Sequence, residues 1–298
     1  MALPLTEATI ADSPSIDEMP VAAALARMLA AQSAALNSVN TAITPISNAA
    51  REMANALQSG GRLVYAAAGS SALMAIADGL ELGGTFGITP DQIVLLMAGG
   101  LPINASMPGQ SEDDTAEAEI AAKSIRKNDI VITISASGHT PYACKIAQLA
   151  KAKGVGVIGI ANNANAPLFE HADIAIHLPT PPEVIAGSTR LGAATAQKAV
   201  LNMMSTLMGV HLGHVHDGMM VNLVADNAKL RTRAVGMVGQ IANVDMALAQ
   251  RSLDHANGAV KPAVLLAAGM ADLAQAKTML QTTKGNLRAA LTELGFYD

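Results

Sequence analysis

Five short apolar runs alternate with helix-like segments between residues 62 and 177, and this alternation constrains the fold more than any other feature. The runs are apolar along their whole length, which is typical of strands buried on both faces of a parallel sheet. The predicted strands are 62–67, 92–97, 129–135, 155–160 and 173–177. Helical segments between them predict a three-layer α/β/α sandwich around a five-stranded parallel sheet.

The chain on either side of this core is predicted to be helical. Ala, Leu and Met dominate 21–36, and helical spacing continues over 43–57. An Ala- and Met-rich stretch predicts one long helix over 188–212, and the tail is helical with glycine breaks. We therefore divide the chain into N-terminal helices (1–60), a central domain (61–219) and a helical C-terminal subdomain (220–298).

Composition and charge exclude several classes of protein. The 298 residues include 19 Lys and Arg against 24 Asp and Glu, so a net charge of −5 favours neither nucleic acid nor an anionic membrane. No apolar run is long enough to span a bilayer, and the N-terminus lacks the pattern of a signal peptide. The single cysteine, Cys144, excludes an intramolecular disulfide, which is typical of the reducing cytoplasm.

Two loops rich in hydroxyl groups follow the first and third predicted strands. Ligands of open parallel sheets bind at the carboxyl ends of the strands, where these loops lie. Both precede helices, so their hydroxyls either cap the helices or, together with free N–H groups, bind an anion such as phosphate. Neither loop has a Walker ending, and the chain has no G-x-G-x-x-G. The candidate phosphate ligands are Ser70, Ser71, Ser135, Ser137, Gly138 and Thr140.

A third cluster leads from the last predicted strand into the long helix. It contains Glu183, Ser188, Thr189 and Arg190. Ser188 or Thr189 is expected to cap the helix, which places Arg190 in its first turn. A cation there opposes the helix dipole, and a bound anion would remove the conflict.

Two glutamates are candidates for proton transfer. Glu81 ends the helix after the first loop, and Glu112 follows the second strand. Taken alone, each also fits an exposed acid or a charge at a helix end.

The histidines near the end of the long helix do not suggest a metal site. The spacing of His211, His214 and His216 does not place all three on one helical face. We expect surface positions or a favourable interaction with the helix dipole, and no metal or other cofactor.

An ordered series of blocks along nearly the whole chain resembles the sugar isomerase (SIS) domain family and, more narrowly, the N-acetylmuramic acid 6-phosphate etherases. The most specific resemblance lies in Pro182-Glu183-Val184, Gly187-Ser188-Thr189-Arg190 and Thr195-Ala196-Gln197-Lys198. Further blocks are Asp78 and Glu81 with Thr85-Phe86-Gly87, Glu112-Asp113-Asp114, Asn227-Ala228-Lys229-Leu230 and Val260-Lys261-Pro262-Ala263.

The resemblance implies a function and assigns roles. The domain at 61–219 would be an SIS phosphosugar-binding domain. The enzyme would be a lyase of peptidoglycan recycling that removes D-lactate from the C3 ether of N-acetylmuramic acid 6-phosphate and adds water. Glu81 would be the acid and Glu112 the base, the three hydroxyl-rich clusters would bind the substrate, and the protein would be a homodimer.

Several positions depart from the family pattern, among them His214-Val215-His216 in place of the family's Lys-Val-Tyr. Leu73, His139 and Gly192 stand where the family usually has basic residues. Their loss leaves the identity of the sugar open. The alternatives are an SIS-domain isomerase or lyase acting on a different phosphosugar, and a non-catalytic regulator that binds one. Both glutamates are retained, which favours an enzyme.

Overall fold

The computed structural model describes residues 5–10, 14–108, 111–225 and 227–297. The chain forms two compact units. The first comprises Met1–Leu80 and Asp91–Ser205, and the second comprises Glu81–Pro90 and Thr206–Asp298. Each unit has its own hydrophobic core.

The first unit is built on a five-stranded sheet. Its strands are β1 (Leu63–Ala67), β2 (Ile93–Met97), β3 (Ile130–Ser135), β4 (Gly156–Ala161) and β5 (Ile174–His177). All adjacent pairs are parallel, in the order β2-β1-β3-β4-β5. The predicted five-stranded parallel sheet is therefore confirmed. The loops after β1 and β3 leave the same edge of neighbouring strands, because Ala67 pairs with Ile134.

Helices cover both faces of the sheet. They are α2 (Ile43–Gln58), α4 (Thr115–Ala121) and α5 (Pro141–Ala152), with the first part of α3 (Gly69–Phe86) and of α6 (Gly192–His211), whereas α1 (Val21–Asn37) precedes α2 in the chain. On one face, Val64, Val131 and Val157 form a buried cluster with Tyr142 and Ile146 of α5. On the other, α2 packs against β1, β3 and β5. The central layers form the predicted α/β/α sandwich.

The second unit is mainly helical, as predicted. Its helices are α7 (Ala228–Ala242), α8 (Met246–His255), α9 (Val260–Ala267), α10 (Leu273–Thr282) and α11 (Leu287–Glu293). The sequence did not predict the short hairpin of β6 (Val215–His216) and β7 (Met219–Met220). None of the helices in the described ranges is both long and apolar enough to cross a bilayer.

Candidate functional site

Glu112 lies between the first turns of α3 and α5, the helices that follow the two hydroxyl-rich loops. Its carbonyl oxygen accepts a hydrogen bond from Tyr142 N, 3.0 Å away in the first turn of α5. Its carboxylate lies against Gly69, the first residue of α3, where an added Cβ would stand 2.6 Å from Glu112 Oε1. Gly69 has a φ of 54°, so glycine is favoured there on backbone grounds too. An exposed glutamate thus joins the N-terminal ends of two helices, with its carboxylate at α3 and its backbone carbonyl at α5.

The first hydroxyl-rich loop meets the third cluster. Ser70 Oγ lies 2.9 Å from Thr189 Oγ1, although 119 residues separate the two side chains along the chain. Ser71, the next residue of α3, is buried. Two of the clusters singled out in the sequence therefore come together within the first unit.

The hydroxyls of the second loop form a compact group. Ser135 Oγ lies 2.8 Å from Thr140 Oγ1 and 3.3 Å from Ser137 Oγ. Ser135 Oγ also accepts from Gly138 N at 2.9 Å. Thr140 occupies the N-cap position of α5, but its side chain makes no capping hydrogen bond. Capping therefore does not account for its hydroxyl, and the group is able to donate to an anion because hydroxyl hydrogens rotate.

The segment after β4 holds this loop in place, which the sequence analysis missed. Three consecutive carbonyls accept hydrogen bonds: Ala136 O from Asn162 N (3.0 Å), Ser137 O from Asn163 Nδ2 (3.1 Å) and Gly138 O from Leu168 N (3.2 Å). Asn163 is buried, and its amide also donates to Thr6 Oγ1 at 3.2 Å. The chain passes so closely that a Cβ on Gly138 would lie 2.2 Å from Ala166 Cβ.

Glu183 caps α6 in place of the residues predicted to do so. Its buried carboxylate accepts from Gly192 N and Ala193 N, both at 3.0 Å. The helix begins at Gly192, so Arg190 precedes it and is exposed. The prediction that Arg190 lies in the first turn is wrong, and the Glu183 carboxylate already complements the dipole. Contacts of Glu183, Ser188, Thr189 and Arg190 with substrate stay predictions.

A buried carboxylate ties together the elements that carry the first and third clusters. Asp78 of α3 accepts from Tyr65 Oη of β1 at 2.8 Å. It also accepts from Asn202 Nδ2 at 2.7 Å and Ser205 Oγ at 2.8 Å, both on α6. Burial, and then the Asp78 carboxylate, raise the pKa of Tyr65 well above its usual range, so the phenol remains a donor.

Glu81 is an exposed residue of α3, the helix that begins at Gly69. It lies on the part of α3 that belongs to the second unit. Its role as the acid stays a prediction.

The histidines singled out in the sequence do not share one environment. His211 is the last residue of α6, where its position suits the helix dipole. His216 is buried in β6, and its Nε2 lies 3.0 Å from Tyr297 Oη, so the expected surface or dipole role is wrong for this residue. No group of three potential metal ligands comes together in the part of the chain that the structure describes.

Leu73, His139 and Gly192, three of the departures from the family pattern, have distinct surroundings. Leu73 and His139 are exposed. Gly192 is enclosed, because a Cβ there would lie 2.9 Å from Ala35 Cβ. A lysine at this position would require α1 and α6 to move apart.

Comparisons with known proteins agree with this architecture. The SIS domain matches residues 112–207. A solved structure of a protein from E. coli CFT073 has a TM-score of 0.50 at 16% identity, covering 67% of this chain and 97% of its own, which supports the fold alone.

Two curated relatives carry the same name. The N-acetylmuramic acid 6-phosphate etherase of Geobacillus thermodenitrificans is 40% identical over 79% of this chain and 81% of its own length. The etherase of Deinococcus radiodurans is 36% identical over 97% of this chain and 95% of its own length. Similarity of this extent establishes the family, and the chain belongs to the N-acetylmuramic acid 6-phosphate etherases, with an SIS domain at its centre.

Proposed function

We propose that this protein is an N-acetylmuramic acid 6-phosphate etherase. It is a carbon–oxygen lyase that removes D-lactate from the C3 ether of the sugar and adds water, giving N-acetylglucosamine 6-phosphate. The observation that carries this proposal is the position of Glu112, whose exposed carboxylate lies against the first residue of α3 and whose backbone carbonyl accepts from the first turn of α5. Relatives with this name that match nearly the whole chain support it.

The substrate phosphate binds to the hydroxyl-rich loops. Ser70 and Ser71 stand in the first turn of α3, and Ser135, Ser137, Gly138 and Thr140 precede α5. Hydroxyl and backbone donors at helix N-termini suit an anion. Binding energy at the phosphate then orients the sugar for reaction at C2 and C3.

The reaction divides two proton transfers between two carboxylates. In the open-chain sugar the C2 proton is acidic because the C1 aldehyde is adjacent, and Glu112 removes it. Glu81 protonates the ether oxygen at C3 as the C–O bond breaks, so lactate leaves and a C2–C3 double bond forms. Water then adds at C3 and a proton returns to C2. General acid and base catalysis of this kind requires no cofactor.

The enzyme acts as a homodimer in the cytoplasm. Support for self-association comes from Val21, Leu25 and Leu29, which are four residues apart on one face of α1 and are exposed at 77%, 61% and 69%. A single cysteine supports the reducing compartment.

A second candidate is a lyase or isomerase that acts on another phosphosugar. The loss of cations at Leu73, His139 and Gly192 favours it, because a substrate with both a phosphate and a lactyl carboxylate gains from basic partners. The enclosed position of Gly192 makes a basic side chain there impossible without movement of α1. A regulator that binds a phosphosugar without turnover is the remaining alternative.

The experiment is a mass-spectrometric assay of lactate and N-acetylglucosamine 6-phosphate after incubation with N-acetylmuramic acid 6-phosphate. Wild-type protein and Glu293→Gln, an exposed glutamate on α11, should both release lactate. Glu112→Gln should not. Turnover of another sugar phosphate without lactate release would favour the second candidate, and binding without turnover would favour the regulator.

A further inference from the structure

The second unit contains a cavity of about 390 Å³ at the start of α9. Its volume lies in the range of small-molecule sites, which are mostly apolar with a few polar groups. The apolar lining residues are Val221, Leu223, Val224, Val260, Pro262 and Leu280. The polar side chains in the described lining are those of Asn222 and Lys261.

Lys261 is a buried cation that has no counter-ion among the residues that the structure describes. Its residue is 7% exposed, and its Nζ donates to the neutral Gly285 carbonyl oxygen at 3.0 Å. Within the described ranges, no carboxylate forms an ion pair with it. An ammonium group has three donors, and burying it without a partner of opposite charge is costly. The cavity provides the space where such a partner can bind.

Lys261 keeps its proton, and therefore its positive charge, at neutral pH. Burial lowers the pKa of Lys261 to about 8, so most molecules carry the charge at neutral pH. Burial, and then Lys261, lower the pKa of His214 to about 4, so this imidazole is neutral. His214 Nδ1 is buried and makes no hydrogen bond to the described residues.

The start of α9 adds to the positive potential of the cavity. The other four helices of this unit begin with side-chain caps, from Asn227, Asp245, Asp272 and Asn286. In α9 the N-cap position is Ala259, which has no side-chain acceptor. Ala259, Val260 and Lys261 all line the cavity, so an anion there faces both a helix N-terminus and an ammonium group.

We propose that this cavity binds a small organic carboxylate, with the carboxylate on Lys261 Nζ at the start of α9 and an apolar body against the Val, Leu and Pro side chains. One cation in a mainly apolar lining suits a monoanion with an apolar part. A phosphate dianion calls for more charged or polar donors than the lining supplies. All the residues that line it belong to the second unit.

The test is calorimetric titration of the full-length protein with isobutyrate and with isobutyramide, a neutral probe of the same shape. Isobutyrate should bind saturably to the wild type and to Lys277→Met, which removes an exposed lysine of α10. Lys261→Met should bind it at least about tenfold more weakly, as expected for loss of a charge-assisted hydrogen bond. Isobutyramide should bind weakly to all three proteins.

Equal affinity of wild type and Lys261→Met for isobutyrate, or equal affinity of the wild type for the two probes, would overturn the proposal. A measurement without mutation guards against misfolding of the variant. In protein labelled with ¹³C-lysine, isobutyrate should raise the pKa of Lys261, read from its Cε resonance, and isobutyramide should not. An unchanged pKa of Lys261 at saturating isobutyrate would also overturn the proposal.

Discussion

Glu112 and Gly69 are so close that a methyl group on Gly69 would stand 2.6 Å from Glu112 Oε1. The contact joins the chain after β2 to the first turn of α3, two segments whose positions follow from neighbouring parallel strands. It places the proposed base beside the proposed phosphate loop. Gly69 is thus part of the geometry of the site without supplying a functional group.

Gly69→Ala should reduce kcat/KM for the etherase reaction by more than tenfold, because the new methyl group displaces the Glu112 carboxylate. The positive φ at this position adds a destabilisation of about 1 kcal/mol. The matched control is Gly84→Ala on the same helix, where nothing lies within 4 Å of an added Cβ. It should preserve activity and raise the free energy of unfolding by about 0.5–1 kcal/mol. Wild-type kinetics in Gly69→Ala would show that the contact has no part in catalysis.

Asn163 should act as a positioning residue for the second hydroxyl-rich loop. Asn163→Leu removes the hydrogen bond that ties Ser137 O to the segment after β4, so the loop hydroxyls lose their fixed arrangement. Sugar-phosphate affinity, measured by calorimetry, should then fall about tenfold. Ser137→Ala should have a similar effect with little change in stability. Thr6→Val is the control, because it removes only the other partner of the Asn163 amide and should leave affinity unchanged. If Asn163→Leu and Thr6→Val bind the ligand equally well, Asn163 serves only the N-terminal segment.

The network around Asp78 should contribute to stability. Tyr65→Phe removes one donor to a buried carboxylate and should lower the free energy of unfolding by about 1–3 kcal/mol. Asp78→Ala should lower the free energy of unfolding by more than Tyr65→Phe does. It leaves the donors of Tyr65, Asn202 and Ser205 without their acceptor. Urea denaturation of the two variants provides the measurement. An unchanged free energy of unfolding in Tyr65→Phe would mean that water can replace the phenol as a donor to Asp78.

The sheet and its helices were predictable because their signal is local. The strand Leu63–Ala67 is buried at every position, and its uninterrupted apolar sequence predicts this burial. The hydroxyl-rich loops were found for the same reason, since Gly, Ser and Thr before a helix are visible within a few residues.

What the sequence did not predict depends on distant contacts. The start of α6 is set by Glu183, nine residues before Gly192, whereas the nearer Ser188 and Thr189 are the better local caps. Asn163 holds Ser137 across 26 residues, and an asparagine after a strand gives no sign of this. The hairpin at Val215–Met220 has only two residues in each strand, which is too few to display the alternating sequence pattern of a strand.

His214 should make the protein less stable in mild acid. Its folded pKa of about 4 lies below the ordinary value of 6.5, so the folded state binds fewer protons than the unfolded state between these values. The contribution of neutral His214 to the free energy of unfolding is therefore fully present above pH 6.5. It is lost as the pH falls from 6.5 towards 4. Its full size is on the order of 3 kcal/mol.

Urea denaturation at pH 7.5 and pH 5 measures this difference. His214→Gln should lose less stability between the two values than the wild type, whereas His255→Gln, at an exposed position, should behave like the wild type. An equal loss in His214→Gln and wild type would mean that other groups cause the acid sensitivity.

In the proposed mechanism two glutamates divide the proton transfers of an elimination from a phosphosugar, with Glu112 as base and Glu81 as acid. The most direct measurement is exchange of the C2 proton of N-acetylmuramic acid 6-phosphate with deuterated solvent, followed by NMR, alongside lactate release. Glu81→Gln should still exchange the proton while releasing no lactate, because the base and the acidifying aldehyde remain. Glu112→Gln should lose both activities. Wild-type rates of exchange and release in both variants would contradict the account, since the two carboxylates would then take no part in the chemistry.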